Sequence, residues 1–500
     1  MHHSIKTRAA AVLLALLTGA GCAGCSEKPS EPSAQKEQTE NVGTPAGEEA
    51  PETEAETEFD PFAELPADTY GGRSFRLLAR EAYLYELWVE EMTGDVFNDA
   101  VFERNAAVEQ RFDVTIDAIP IAGEWGDRDK FLATVRSSVQ AGDGAYDLID
   151  GYAATIGSGF ADHLYLNLRE VPNLRLDMGW WSALLRDELT VNGRLYAITG
   201  DIAVNMWEQM QVMYFNKSLA VNYDIESPYE AVRDGSWTFD KYLSMIAGHS
   251  VDEDGDGKWT EADSYGAVYY DALTFDNLHN AFGVRYTSRT ADGGVELDLY
   301  NDQIVAISEL AADLAFNKED VYYTNQAVGT SREPARNMFS EGRGLFFSSV
   351  LEDAILMRDM DADFGIIPYP KRNESQQAYY TTSRDGRSMF AMPIDVPDAA
   401  FAGLIAEAMC VEGSRIVIPA YYDRVLKGKT ARDEESASML DIIRAGVVLD
   451  FAAEYAVQTE RAGFIIRDVI EGNTNIASLY ASKQKVYAKA FEKFLKAYTD

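Results

Sequence analysis

Oxygen donors at fixed spacing are the strongest chemical feature of this sequence. Asp252-Glu-Asp-Gly-Asp-Gly-Lys-Trp-Thr-Glu-Ala-Asp263 puts carboxylates at loop positions 1, 3 and 5 (Asp252, Asp254, Asp256) and Gly257 at the tight turn at 6. A carbonyl at Lys258, a hydroxyl at Thr260 and a closing carboxylate at Asp263 complete the set. A hard divalent cation takes six to eight such ligands, so the spacing predicts a structural Ca2+ site at 252–263. The bland alternative is a solvated acidic turn. Asp263 stands where twelve-residue calcium loops usually carry the longer Glu, so the closing ligand reaches less far.

Groups for covalent or acid–base catalysis are sparse. Outside the first residues, histidine occurs only at His163, His249 and His279, and no H-E-x-x-H pair is formed. No G-x-S-x-G elbow, Walker loop or strand-to-helix G-x-G-x-x-G is present. A glycosidase needs only two carboxylates, and 82 Asp and Glu supply many candidates, so an extracellular carbohydrate-active enzyme stands as an alternative reading. The leading expectation is that the chain is not an enzyme.

The first residues bear on where such chemistry would act. Lys6 and Arg8 precede an apolar run, Ala9 to Leu17, which is too short to cross a bilayer and reads as an export signal over residues 1–21. Gly19-Ala20-Gly21 before Cys22 resembles the lipobox of bacterial lipoproteins, which implies lipidation of Cys22 and attachment at the extracellular face of the cell membrane. Cys25, after Ala23-Gly24, is a rival position. Residues 22–68 are rich in Pro, Glu, Ser and Thr, and 13 acids against two lysines between Glu27 and Asp68 carry −11 of the net −38. Such a stretch buries too little apolar surface to offset its ordering entropy and is expected to be a disordered tether. The acidity of the whole argues against a nucleic-acid partner.

The elements that must position a site begin near Tyr70. Ser74–Ala79 reads as a strand, Phe97, Val101, Val108 and Phe112 recur at helical spacing, and Val114–Ile119 is a second strand. A helix ending near Gln140 leads to a third strand, Tyr146–Asp150, followed by an expected Gly-rich loop, Gly151 to Gly159. The βαβαβ order predicts a parallel sheet in an α/β protein, with ligands outside the carboxyl ends of its strands, after Ala79, Pro120 and Asp150. Some 430 residues exceed one core, so two lobes are expected. Cys410, in an apolar run, reads as a core residue.

Several phrases then match one family in order and spacing: Thr93-Gly-Asp-Val-Phe-Asn-Asp-Ala-Val-Phe-Glu-Arg-Asn105, Gly193-Arg-Leu-Tyr-Ala-Ile-Thr-Gly-Asp201, Val212-Met-Tyr-Phe-Asn-Lys217, Phe364-Gly-Ile-Ile-Pro-Tyr-Pro-Lys371, and Ala431-Arg-Asp-Glu-Glu-Ser436 with Met439-Leu-Asp441. On these the chain resembles the extracellular solute-binding proteins (family 1, maltodextrin-binding-like) of bacterial ABC importers. The acidic loop is likewise similar to calcium loops of dockerins and of some solute-binding proteins. The resemblance implies a two-lobed periplasmic-binding-protein-like fold with hinge crossovers and a ligand cleft between lobes. Lobe one would span 70–202 and 388–450, and lobe two 203–387 and 451–500, with the calcium-loop insertion near 252–263.

It also implies a function: capture of a carbohydrate, an oligosaccharide first, by lobe closure, and delivery to ABC transporter permease subunits by a monomer. A structural or adhesive surface lipoprotein is the third reading. Sugar pockets combine aromatic rings with carboxylates, amides and arginine. The family fold would bring Trp88, Tyr152, Trp207, Tyr379 and Tyr380 toward the cleft, with Asn98, Asp201, Glu352 and Arg384 as the polar set. Trp180-Trp181, after Gly179, is expected to start a helix near the lobe surface with one of the two rings packed, and Trp237 is expected in the core.

Overall fold

The computed structural model describes residues 60–323, 331–422, 426 and 433–499. Cys22, Cys25, residues 1–21, expected to be an export signal, and most of the acidic stretch lie outside these residues. Among the described residues no helix is long and apolar enough to cross a membrane.

Among the described residues there are eleven strands: β1 Arg73–Arg80, β2 Val114–Ile121, β3 Leu148–Tyr152, β4 Gln211–Asn216, β5 Tyr265–Tyr269, β6 Thr287–Arg289, β7 Val295–Leu297, β8 Val321–Tyr323, β9 Gly344–Val350, β10 Phe364–Ile367 and β11 Ser388–Ala391. They form one four-stranded sheet, β11-β3-β1-β2, one five-stranded sheet, β10-β4-β9-β5-β8, and the hairpin β6-β7. The fold is therefore α/β, with one sheet in each of two lobes. The predicted βαβαβ order is observed: β1 pairs in parallel with β2 from Arg73↔Val114 to Arg80↔Ile121, and with β3 through Leu77↔Leu148. β1 is central and buried at Leu77, Leu78 and Ala79, as an inner parallel strand must be. The helix Val96–Phe112 between β1 and β2 starts at Asp95, whose carboxylate accepts from the Phe97 and Asn98 amides. It stops at Asp113 in the left-handed region.

In the second lobe β5 runs parallel to β8 and β9, while β4 is antiparallel to β9 and β10. The chain passes between the lobes along segments that bond to one another. Met210 bridges Ser383, Thr381 bridges Val447, and the Gln211 amide donates to the Thr382 carbonyl at 2.9 Å. These passages are the hinge. The segments that follow the carboxyl ends of β1, β3, β5 and β9 lie beside it: Tyr85 bonds Glu208, Tyr152 bonds Asp385, Asp271 lies near Arg384 and Glu352 near Gln209.

One expectation of local structure is corrected. The segment after β3, expected as a loop, is a helix, Ala153–Ser158, with Ala153, Ala154 and Ile156 buried. Its glycines serve close approach, not looseness: a Cβ on Gly151 would lie 2.5 Å from Ile156, and one on Gly157 2.8 Å from Tyr455. Of Trp180 and Trp181 one was expected to pack, and both are buried. Their indole N–H groups donate to the buried Glu407 carboxylate at 2.9 and 2.7 Å, and Arg175 completes its shell at 2.8 Å. A charged acceptor inside the core gives both indoles a partner, and the sequence separation of more than 200 residues concealed it. Cys410 and Trp237 are buried as expected.

The end of the chain serves both cores. The terminal helix Ile476–Leu495 buries Ile476 and Tyr487 against the second lobe, and Phe491 and Phe494 against the first. In the helix Glu434–Ala445, Met439 belongs to the second-lobe cluster, and Ile443 to a cluster that joins Ala100 and Val101 of the first lobe to Tyr214 and Phe347 of the second.

Candidate functional site

The 3-10 helix Glu81–Glu86 directly after β1 carries Tyr83 and Tyr85, the loop after β2 carries Gly123, Glu124 and Trp125, and β3 ends on Tyr152. Arg80 organises them. Its buried guanidinium donates to the Gly386 carbonyl at 2.9 Å and to Ser388 Oγ at 3.0 Å, lies 3.3 Å from Glu124, and stands 4.3 Å over the Tyr83 ring. Trp125 and Tyr152 tilt toward each other at 5.9 Å between ring centroids, and Trp125 remains 47 % exposed. The Tyr152 hydroxyl donates to Asp385 at 3.1 Å, which ties the first lobe to the second hinge passage.

The second lobe faces this group with Glu352, at the end of β9, and Arg384. Gln209 lies between: its amide nitrogen is 3.5 Å from both the Tyr83 hydroxyl and Glu352. Arg332 donates to Glu352 at 2.6 Å. Arg384 donates to the Tyr270 hydroxyl and sits 3.7 Å from Asp271, at the end of β5. Behind Arg384 and Asp385 a polar cavity of about 50 Å³ is lined by Gln211, Asn277 and Glu454. Burial, then the charge of Glu352, pushes the Tyr83 phenol far up, so it stays a neutral donor. Burial raises Glu124 as well, against the pull of Arg80. The result is a set of aromatic faces with carboxylate, amide and guanidinium groups at their edges, shared between both lobes and the hinge. Such a set suits a ligand with apolar ring faces and a rim of hydroxyls.

Of the residues expected from sequence, Tyr152, Glu352 and Arg384 come together here. Asp201 and Trp207 line a different pocket of about 340 Å³, with Trp181, Met206 and Arg444 and no lining residue in common with the polar cavity. In it Arg444 stacks 4.5 Å over Trp207, and burial raises Asp201 to about 6. Trp88 is half-buried against the first core. Asn98 donates to the Glu91 carbonyl at 2.8 Å near the start of its helix. Tyr379 packs on the second core and donates to the Val232 carbonyl at 3.0 Å, and Tyr380 lies against Gly283. Tyr83, Trp125, Gln209, Tyr270 and Asp385 were not singled out from sequence. The rule for carboxyl ends of parallel strands reaches the segments that hold Tyr83 and Trp125 without choosing the side chains.

A buried acidic pair underlies the hinge. Glu86 accepts from the Val204 and Asn205 amides at 2.7 and 2.9 Å and from Ser388 Oγ at 2.6 Å, so one carboxylate of the first lobe holds two hinge passages. Glu208 accepts from the Tyr85 hydroxyl. Burial and the charge of Asp150 lift Glu86 to about 7, and burial and the charge of Glu86 lift Glu208 to about 8.

The acidic loop is a second, separate candidate. One oxygen from each of Asp252, Asp254 and Asp256 can lie within 4.8 Å of the other two, which fits one cation. The buried Asp263 closes the loop by accepting from the Glu253 and Thr260 amides at 3.0 and 2.7 Å. The Lys258 ammonium sits 2.8 Å from Asp256.

No protein-family model and no curated protein matches the sequence. Solved structures do match its fold. An ABC substrate-binding protein of Listeria monocytogenes in complex with cycloalternan superposes with a TM-score of 0.52 at 13 % identity, covering 86 % of this chain and 99 % of that one. A cyclo/maltodextrin-binding protein complexed with maltotetraose gives 0.53 at 12 %, covering 85 % and 97 %. A solute-binding protein of Thermotoga lettingae bound with α-D-tagatose gives 0.53 at 13 %, covering 85 % and 100 %. At these identities the likeness is one of fold, and the chain has the two-lobed α/β fold of ABC-importer solute-binding proteins.

Proposed function

We propose that this chain captures a small carbohydrate between its lobes and hands it to the permease of an ABC importer. The observation that carries the reading is the convergence of Tyr83, Trp125 and Tyr152 from one lobe, Gln209 from the hinge, and Glu352 and Arg384 from the other. A sugar laid on the aromatic faces would bond both rims at once. It therefore favours the closed arrangement, in which both sets of contacts exist together. The chemistry is binding, with ligand released unaltered. The test is the thermal unfolding of the full chain against a panel of mono- and oligosaccharides. A ligand at about 100 times its Kd stabilises by about 2.7 kcal/mol, so one sugar class should raise the midpoint. A flat response across the panel would oppose a sugar as cargo.

The reading places the chain at the outer face of the cell membrane, as a monomer held by lipid on Cys22. Replacing Cys22 by serine should then release it into the medium, whereas persistent membrane association with intact acylation at Cys25 would transfer the anchor to that residue.

Calcium at 252–263 has a stiffening role in this proposal. Asp252, Asp254 and Asp256 would supply carboxylate oxygens, Lys258 its carbonyl, and Thr260 and Asp263 the remaining side, and the cation would replace mutual repulsion of the acids by shared attraction. Calorimetric titration should show one calcium per chain with a raised melting midpoint, and Asp252→Ala should lose both. Equal behaviour of the two proteins would leave the loop an acidic turn.

A further inference from the structure

The terminal helix runs against the charge of the rest of the chain. Five of 16 lysines in a chain of net charge −38 fall between Lys483 and Lys496. Lys485, Lys489 and Lys493 recur every fourth residue, so they share one face over about 12 Å of helix. All three are exposed, and none forms an ion pair among the described residues. Beside them lies a groove of about 670 Å³. Its near wall is Val486, Ala490 and Phe494 of the same helix. Its far wall includes Ser158 and Gln458, and the Gln458 amide is fixed to the Ala154 carbonyl at 2.6 Å and to Ser158 Oγ at 2.8 Å. Val486 is 43 % exposed, an apolar side chain open to solvent between cations. Glu460 is the one acid among the lining residues.

We propose that this groove docks a short acidic, amphipathic segment of a partner protein, its apolar residues on Val486 and Ala490 and its carboxylates on Lys485, Lys489 and Lys493. An amphipathic helix in a groove repeats its contacts at the same three- to four-residue spacing as these lysines. The concave shape and the charge together select this occupant. At physiological salt a charge is felt over about 8 Å, so a segment within the groove senses the lysines. A membrane plane or long polyanion must also approach the acidic remainder of the surface, which repels it.

The test uses the full chain and a fluorescein-labelled peptide with glutamate at every fourth position and leucine on the adjoining face, followed by anisotropy. Expected are binding that weakens with salt and a Kd raised at least tenfold by Lys485→Glu with Lys489→Glu and Lys493→Glu, at an unchanged melting midpoint. Ala490→Trp, which fills the groove but keeps the charges, should weaken binding as well, and it serves as the test should the triple variant fail to fold. The proposal is overturned if the peptide does not bind at low salt, if these variants bind it as the parent does, if a scrambled peptide binds equally, or if phosphatidylglycerol vesicles bind the chain in its place.

Discussion

Replacing Trp125 and Tyr152 together by alanine should weaken carbohydrate binding about hundredfold or more, close to 3 kcal/mol. Aromatic anchors at the centre of a site carry most of its binding energy, and in the proposed function these two rings, 5.9 Å apart, form the first-lobe face on which the sugar lies. The two contributions differ in kind. Trp125 is 47 % exposed, so Trp125→Ala should cost about tenfold in affinity and leave the unliganded melting midpoint unchanged. Tyr152 also bonds Asp385, so its loss removes a tie across the hinge and lowers stability modestly as well as affinity. Titration calorimetry with the sugar that shifts the midpoint reads both effects. Parent-like affinity in the double variant would move the ligand away from this face.

The second large effect is a dependence of stability on pH, set by the acids beneath the hinge. Glu86 and Glu208 are raised to about 7 and about 8 by burial first and by neighbouring carboxylates second, from an ordinary 4.5. The folded state thus holds these protons more tightly than the unfolded chain does. Their contribution is full below pH 4.5 and is lost as pH rises through 7 and 8, opposite in sign to a salt-bridged carboxylate. Urea unfolding between about pH 5.5 and 8 should show stability falling by a few kcal/mol from this pair. Glu208→Gln keeps an acceptor for the Tyr85 hydroxyl and removes the titration. It should flatten the slope and be the more stable protein at the alkaline end. An identical slope in parent and variant would place the titrating groups elsewhere.

Part of this was legible in the sequence for simple reasons. The first three strands and the helices between them announce themselves by apolar period, and parallel order follows from their alternation. Tyr152 was expected at the cleft because it follows the third predicted strand, whose carboxyl end faces a ligand, and Glu352 because the family resemblance puts a cleft-facing loop after its apolar strand. Proximity to a hinge was a poorer guide. Trp207 and Gln209 are two residues apart, but at the short helix Asn205–Glu208 Trp207 turns into the pocket beside Arg444 and Gln209 turns to Tyr83 and Glu352. Which side of a crossing a residue takes depends on partners far along the chain, here Arg444 for Trp207 and Tyr83 for Gln209. Gly151 in β3 and Gly157 in the helix after it misled for a related reason. Absence of a side chain reads locally as a loop, and only the tertiary neighbours Ile156 and Tyr455 show why none fits. Glu407 beneath two tryptophans and Glu86 beneath the hinge are invisible in sequence because one acid among 82 has no local mark.

Capture between lobes is tested most directly by the distance between them. Asp129 and Asp359 have side chains 90 % and 91 % exposed, on the helix after β2 and beyond β9 respectively. Cysteines at both positions, with Cys22 and Cys25 changed to serine and the buried Cys410 left in place, would carry spin labels for a pulsed-resonance measurement. A saturating sugar should shorten the inter-label distance in the parent and leave it unchanged in the Trp125→Ala, Tyr152→Ala variant, with the sugar recovered intact. A bound sugar that leaves the distance unaltered, or that is recovered cleaved, would contradict capture by closure.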